Sequence, residues 1–167
     1  MKAFGAVVAI ALALALQTML DRFLARGPAV DLVLVAVVYV ALTSGPVAGM
    51  FAGSVAGLIQ DSLTAPIVGI GGLAKAVVGF FAGAFAQQFI VTATLPRLLI
   101  FVVATVVHAA VLMGLYTVLQ SGTLAASWTM IAKQALGNAL VGAVAFAVVE
   151  AVPGVMERRR IARRSRH

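Results

Sequence analysis

The chain contains no cysteine, which excludes a disulfide framework, a thiolate metal site and a cysteine nucleophile. Charge is also scarce. Only 10% of the 167 residues are Asp, Glu, Lys or Arg, where an ordinary soluble domain has roughly 25%. Apolar residues fill the space instead, at 63% of the chain and a mean hydropathy of +1.12. A soluble domain of this length could not bury so much apolar surface, so the composition indicates an integral membrane protein with almost no length left for a soluble domain. The net charge of +7 does not read as a nucleic-acid footprint. Six of the twelve basic residues lie between Arg158 and Arg166, beside the last hydrophobic segment. A polybasic run in that place is a topology signal and a contact for anionic lipid.

The most ordered pattern runs from Gly45 to Asp61, GPVAGMFAGSVAGLIQD. Gly45, Gly49, Gly53 and Gly57 recur every four residues, and Asp61 falls on the next step. On an α-helix such positions form one slowly drifting stripe. Small residues along a stripe let another backbone approach closely, which in lipid is a main source of helix association. The stripe therefore predicts a tight helix–helix contact, with the facing helix belonging either to this chain or to a partner.

Hydropathy and punctuation predict an all-α polytopic membrane protein of six transmembrane helices. An uncleaved first helix covers Ala3 to Leu20 and a second, capped by Asp31, covers Leu32 to Ser44. Unbroken, residues 31–60 would make a helix of about 45 Å against a membrane core of about 30 Å. Gly45-Pro46 is read as the break, folding helices two and three back as a short hairpin, with DSLTAP from Asp61 to Pro66 as the following loop. Helix four is expected over Ile67 to Ile90, and Pro96 opens helix five, which runs to Leu119. Helix six spans Trp128 to Val152, with Pro153-Gly154 as its stop. The reading is thus a single six-helix domain, 1–155, and an arginine-rich cytoplasmic tail, 156–167. Six spans put Lys2, Arg97 and the tail arginines on one side and only Arg22 and Arg26 on the other. By the positive-inside rule both termini are then cytoplasmic.

Polar groups inside these helices need a reason, because a lysine at mid-membrane costs about 2.5–3.5 kcal/mol. Asp61, Lys75, Lys133 and Asn138 are the candidates for an ion pair or a polar pocket, and Asp61 and Lys75 flank the same loop. Lys133 is close enough to its helix end to snorkel. His108 has no second histidine or carboxylate at helical spacing, so metal ligation is unsupported and an interhelical hydrogen bond is expected. No serine has a paired histidine and acid, and Gly69, Gly71 and Gly72 before Lys75 lack P-loop spacing. No catalytic residue, metal or cofactor is expected.

With DLVLVAVVYVALTSGPVAG running into GSVAGLIQDSL and GIGGLAKAVVGFFAG, the chain resembles the MreD family of bacterial rod-shape-determining membrane proteins. The specific matches are Gly45-Pro46, Gly57-Leu58 and Asp61. Val30 departs from a proline that often precedes the Asp/Asn. The resemblance implies a non-enzymatic scaffold in the bacterial inner membrane, part of the cell-elongation complex. It would associate with an MreC-like protein and, through it, with a peptidoglycan glycosyltransferase/transpeptidase pair. The family also looks like the substrate-binding subunits of energy-coupling-factor transporters. Two functions stay open at this point: a scaffold whose glycine seam receives a partner helix, and a solute-binding or transport subunit with an outer-facing polar pocket.

Overall fold

A computed structural model describes residues 2–23, 30–65, 67–88, 94–120 and 127–164. The elements are α1 (Lys2–Phe23), α2 (Leu32–Ser44), α3 (Pro46–Thr64), α4 (Ile70–Gln88), α5 (Thr94–Gln120) and α6 (Trp128–Arg164). The described residues form helices and no strands, and the chain is an all-helical polytopic membrane protein. By length and composition α1, α4, α5 and α6 are each able to cross a membrane. The other two differ. α2 is apolar but only 13 residues long, about 20 Å. α3 is long enough at 19 residues, but its glycines, Gln60 and Asp61 dilute its hydropathy.

The shortest helix is the centre of the fold. α2 packs against all five others, and Val33 to Val38, with Val40 and Ala41, are buried along it. A helix that is apolar all round is one enclosed on all sides. On one flank Leu34, Val35, Val38 and Ala41 meet Val78 and Ala82 of α4, Phe101 and Ala104 of α5, and Ala139 and Phe146 of α6. On another, Val33 and Val37 meet Ala56 of α3, with Ile10 and Leu14 of α1 alongside. At the far end of the bundle the Arg97 guanidinium lies 4.5 Å from the centre of the Phe146 ring, a cation–π contact.

The hairpin turns at Gly45, whose φ of 95° falls in the left-handed region that favours glycine. Pro46 follows as the first residue of α3, where its missing N–H is no loss. The glycine stripe faces α4 of the same chain. A Cβ at Gly49, Gly53 or Gly57 would come closer than 3.0 Å to the backbone of Gly79, of Lys75–Ala76, and of Gly71–Gly72, respectively. Gly83 of α4 closes the seam against the Gly45–Pro46 junction in the same way. Glycines on both helices therefore bring two backbones into contact, and the seam is internal to the subunit.

Three boundaries differ from the sequence reading. α3 runs on through Asp61 to Thr64, because the Ser62 and Thr64 hydroxyls fold back onto the Leu58 and Gln60 carbonyls instead of opening a turn. α4 starts at Ile70, where Asp61 gathers its first amides. α6 does not stop at Pro153-Gly154 but continues to Arg164. A proline removes one backbone hydrogen bond and can kink a helix without ending it.

Because Gly53 meets backbone and not a movable side chain, Gly53→Leu should lower the melting temperature of the purified subunit in detergent sharply. The loss should be at or above the 1–3 kcal/mol usual for overpacking. Gly53→Ala should follow in the same direction, while Val55→Leu, on the exposed face of α3, should leave the melt unchanged.

Candidate functional site

α2 begins inside the bundle. In a membrane each of its first amides must find a partner within the protein. Three helices supply one. The Asp31 carboxylate accepts from Leu34 N–H at 2.9 Å, Gln17 Oε1 of α1 accepts from Leu32 N–H at 2.8 Å, and Asn138 Oδ1 of α6 accepts from Asp31 N–H at 2.8 Å. Asn138 then donates through Nδ2 to the Thr105 hydroxyl at 2.9 Å, and that hydroxyl donates to the Phe101 carbonyl. Asn138 and Thr105 are each 1% exposed. This relay of hydrogen bonds holds α2, α5 and α6 in register.

Asp31 is also the ion partner of Lys75. Their Nζ and Oδ2 atoms lie 3.0 Å apart, both side chains buried. Lys75 is thus paired across to the start of α2 and not along its own hairpin to Asp61. Its Nζ also lies 3.4 Å from Nε2 of His108, on α5. Since an ammonium has only donors, Nε2 accepts and the imidazole proton sits on Nδ1. His108 is then a hydrogen-bonded interhelical contact.

Asp61 has a different task. Its Oδ2 accepts from the N–H groups of Gly69, Gly71 and Gly72 at 2.8–3.1 Å. The last turn of α3 therefore caps the first turn of α4, where a negative charge also meets the positive end of the helix dipole. Gly71 is required there, since a Cβ would strike the carboxylate. Lys133 lies apart from this group, exposed on the surface of α6. Asp61, Lys75 and Asn138 are brought together at one end of the bundle, and Lys133 is not.

Above the Asp31–Lys75–His108 cluster lies a cavity of about 430 Å³. Asp31, the cap of α2, lines it, and no residue of α2 itself does. The walls come from the end of α3, the start of α4, the second half of α5 and the start of α6. The cavity exists because α2 starts deeper than its neighbours, and because α3 makes no contact with α5 or α6 among the described residues. Its floor is buried, and Thr64 and Met130 at its rim are exposed.

Sequence reasoning placed Asp31 as a cap and Lys75 as a buried charge without joining them, and it gave Gln17 and Thr105 no role. The signal for Gln17 was available. With Thr18 it interrupts the apolar run from Ala3 to Leu20, and a polar side chain at that depth calls for a partner. Thr105 carried no such signal, because a threonine in a membrane helix satisfies itself on the preceding turn.

Removing one member of the buried pair should show its role. Lys75→Met strands the Asp31 carboxylate and should cost about 3–5 kcal/mol, the usual penalty for an uncompensated buried charge. Lys75→Met with Asp31→Asn should recover most of that in a detergent melt, since Asn retains a capping oxygen. In a second double-mutant cycle, Lys75→Met and Asp61→Asn should be additive within about 0.5 kcal/mol.

Comparison with known proteins places this architecture. Searches of curated proteins and of solved structures returned no match, so the likeness to energy-coupling-factor subunits finds no support there. A family profile, described as the rod shape-determining protein MreD, matches residues 2–150. That span takes in the central α2, the α3–α4 seam and every described residue that lines the cavity. The chain belongs to the MreD family of rod-shape-determining membrane proteins.

Proposed function

We propose that this chain is a non-enzymatic scaffold of the bacterial cell-elongation complex. It sits in the inner membrane with both termini cytoplasmic, holds an MreC-like membrane protein, and through it supports a peptidoglycan glycosyltransferase/transpeptidase pair. The observation that carries this reading is how the intramembrane polar groups are used, within a family that determines cell shape. Asp31, Gln17, Asn138, Thr105 and Lys75 pin helices to one another, which favours a fixed platform over a reaction centre. A family of structural subunits fits that economy.

The internal glycine seam changes where a partner would dock. Gly49, Gly53 and Gly57 already face α4, so the partner must use another surface of the bundle. Orientation rests on the distribution of Lys2, Arg97 and the terminal arginines and on the positive-inside rule. The arginine-rich segment 156–167 is proposed as a cytoplasmic contact for anionic lipid, each basic residue near such a surface contributing about 1 kcal/mol.

Affinity purification from native membranes should retain an MreC-like protein, and depletion should turn rod-shaped cells round. Single-cysteine labelling should place Arg97→Cys and Arg164→Cys inside and Ser62→Cys outside. Intact cell shape together with loss of uptake of a solute would overturn the scaffold in favour of a transport subunit. Termini on opposite faces would overturn the orientation.

A further inference from the structure

The cavity above α2 is not explained by scaffolding, which needs its floor but not its empty volume. Its size, about 430 Å³, lies in the range of small-molecule sites, which combine an apolar wall with a few convergent polar groups. Both parts are present. Leu112 and Met113 of α5 and Ile131 of α6 form an apolar side, with the Tyr116 ring beside them. Gln60 and Asp61 of α3 face them across the space.

The polar groups are unequally used. Lys75, the one Lys or Arg among the described lining residues, is engaged by Asp31 and His108. The first amides of α4 are taken by Asp61, which uses Oδ2 for all three. Among the described lining residues the Gln134 amide and the Tyr116 hydroxyl can donate or accept, and beyond them the surplus is of acceptors. Gln60 Oε1 is buried and has no hydrogen-bond partner among the described residues, an arrangement native proteins rarely leave without a reason. The formal charges agree: two carboxylates, Asp31 and Asp61, stand against one ammonium, Lys75. An anion entering this pocket would find no spare cation, whereas a cationic donor would find a stranded carbonyl, an excess negative charge and an aromatic ring.

We propose that this pocket binds a primary ammonium group, carried on a lipid head or on a small solute, with Gln60 Oε1 and Asp61 as its acceptors. The N–H bonds are essential to the idea, because a carbonyl oxygen left unpaired in a buried place is satisfied by a donor and not by charge alone. A quaternary ammonium, with no N–H, should therefore bind poorly. This inference does not rest on the scaffold reading, and a platform without a ligand would leave that reading intact.

The test uses the purified full chain and three probes matched in size: ethanolamine, choline and glycolate. Ethanolamine should raise the melting temperature saturably, with choline and glycolate giving no rise, as expected when only the first binds the folded state. Gln60→Leu removes the stranded carbonyl, so it should fold at least as well as the parent while weakening the apparent Kd for ethanolamine by about tenfold or more. Gln60→Glu should tighten it. In parallel, native mass spectrometry after delipidation and re-addition of phosphatidylethanolamine, phosphatidylcholine and phosphatidylglycerol separates the sources. Selective, Gln60-dependent retention of phosphatidylethanolamine supports the lipid head, and an ethanolamine shift without such retention supports a free solute. The proposal fails if choline or glycolate acts as strongly as ethanolamine. It fails equally if no probe or lipid binds, or if Gln60→Leu changes neither readout.

Discussion

A helix that starts away from water must have its first amides satisfied by other parts of the protein, and in this fold that demand falls on α2. The amides of Asp31, Leu32 and Leu34 are taken by Asn138, Gln17 and the Asp31 side chain, which do what solvent does elsewhere. Each of these groups comes from a different place in the chain, and together they fix α1, α2 and α6 at one level. Lys75 enters because the capping carboxylate is itself a buried charge and needs a counter-ion. The pocket follows from the same circumstance. Where α2 has not yet begun, the surrounding helices enclose space.

The second constraint is steric. α3 and α4 touch through backbone atoms along Gly49, Gly53, Gly57, Gly72 and Gly79. Without side chains between them the two helices gain close dispersion contact, the main attraction left once lipid has made apolar burial worthless as a driving force. Asp61 closes one end of this contact by capping α4, and Gly83 against Pro46 closes the other. The pair is therefore held by geometry at both ends and has no freedom to slide by a turn.

Much of this was legible in the sequence. The Asp31 cap, the Gly45-Pro46 break and the Leu32–Ser44 helix can all be read from residue type and spacing, because capping and turn chemistry are local. The glycine register was legible as a contact but not as a contact with α4, since a stripe does not name what it faces. The pairing of Lys75 was not legible. Loop proximity pointed to Asp61, but depth in the membrane decides which charges meet, and depth depends on where α2 sits relative to α4. The boundaries at Thr64 and Pro153 escaped for a related reason. At Ser62 and Thr64 the hydroxyls bond the preceding turn and let the helix run on, and a proline can kink a helix without ending it.

The hydrogen bond between Asp31 N–H and Asn138 spans 107 residues, and it sets an order on biogenesis. Asn138 lies on α6, so while α6 is still in the ribosome the start of α2 lacks a ligand for its amide. At 13 residues that segment is also too short to cross the bilayer independently. Co-translational insertion of α1, α4 and α5 can proceed helix by helix, but the central element reaches its final state only once α6 has been made. High contact order of this kind makes a slow, late step of what topology diagrams draw second. The second helix waits for the sixth.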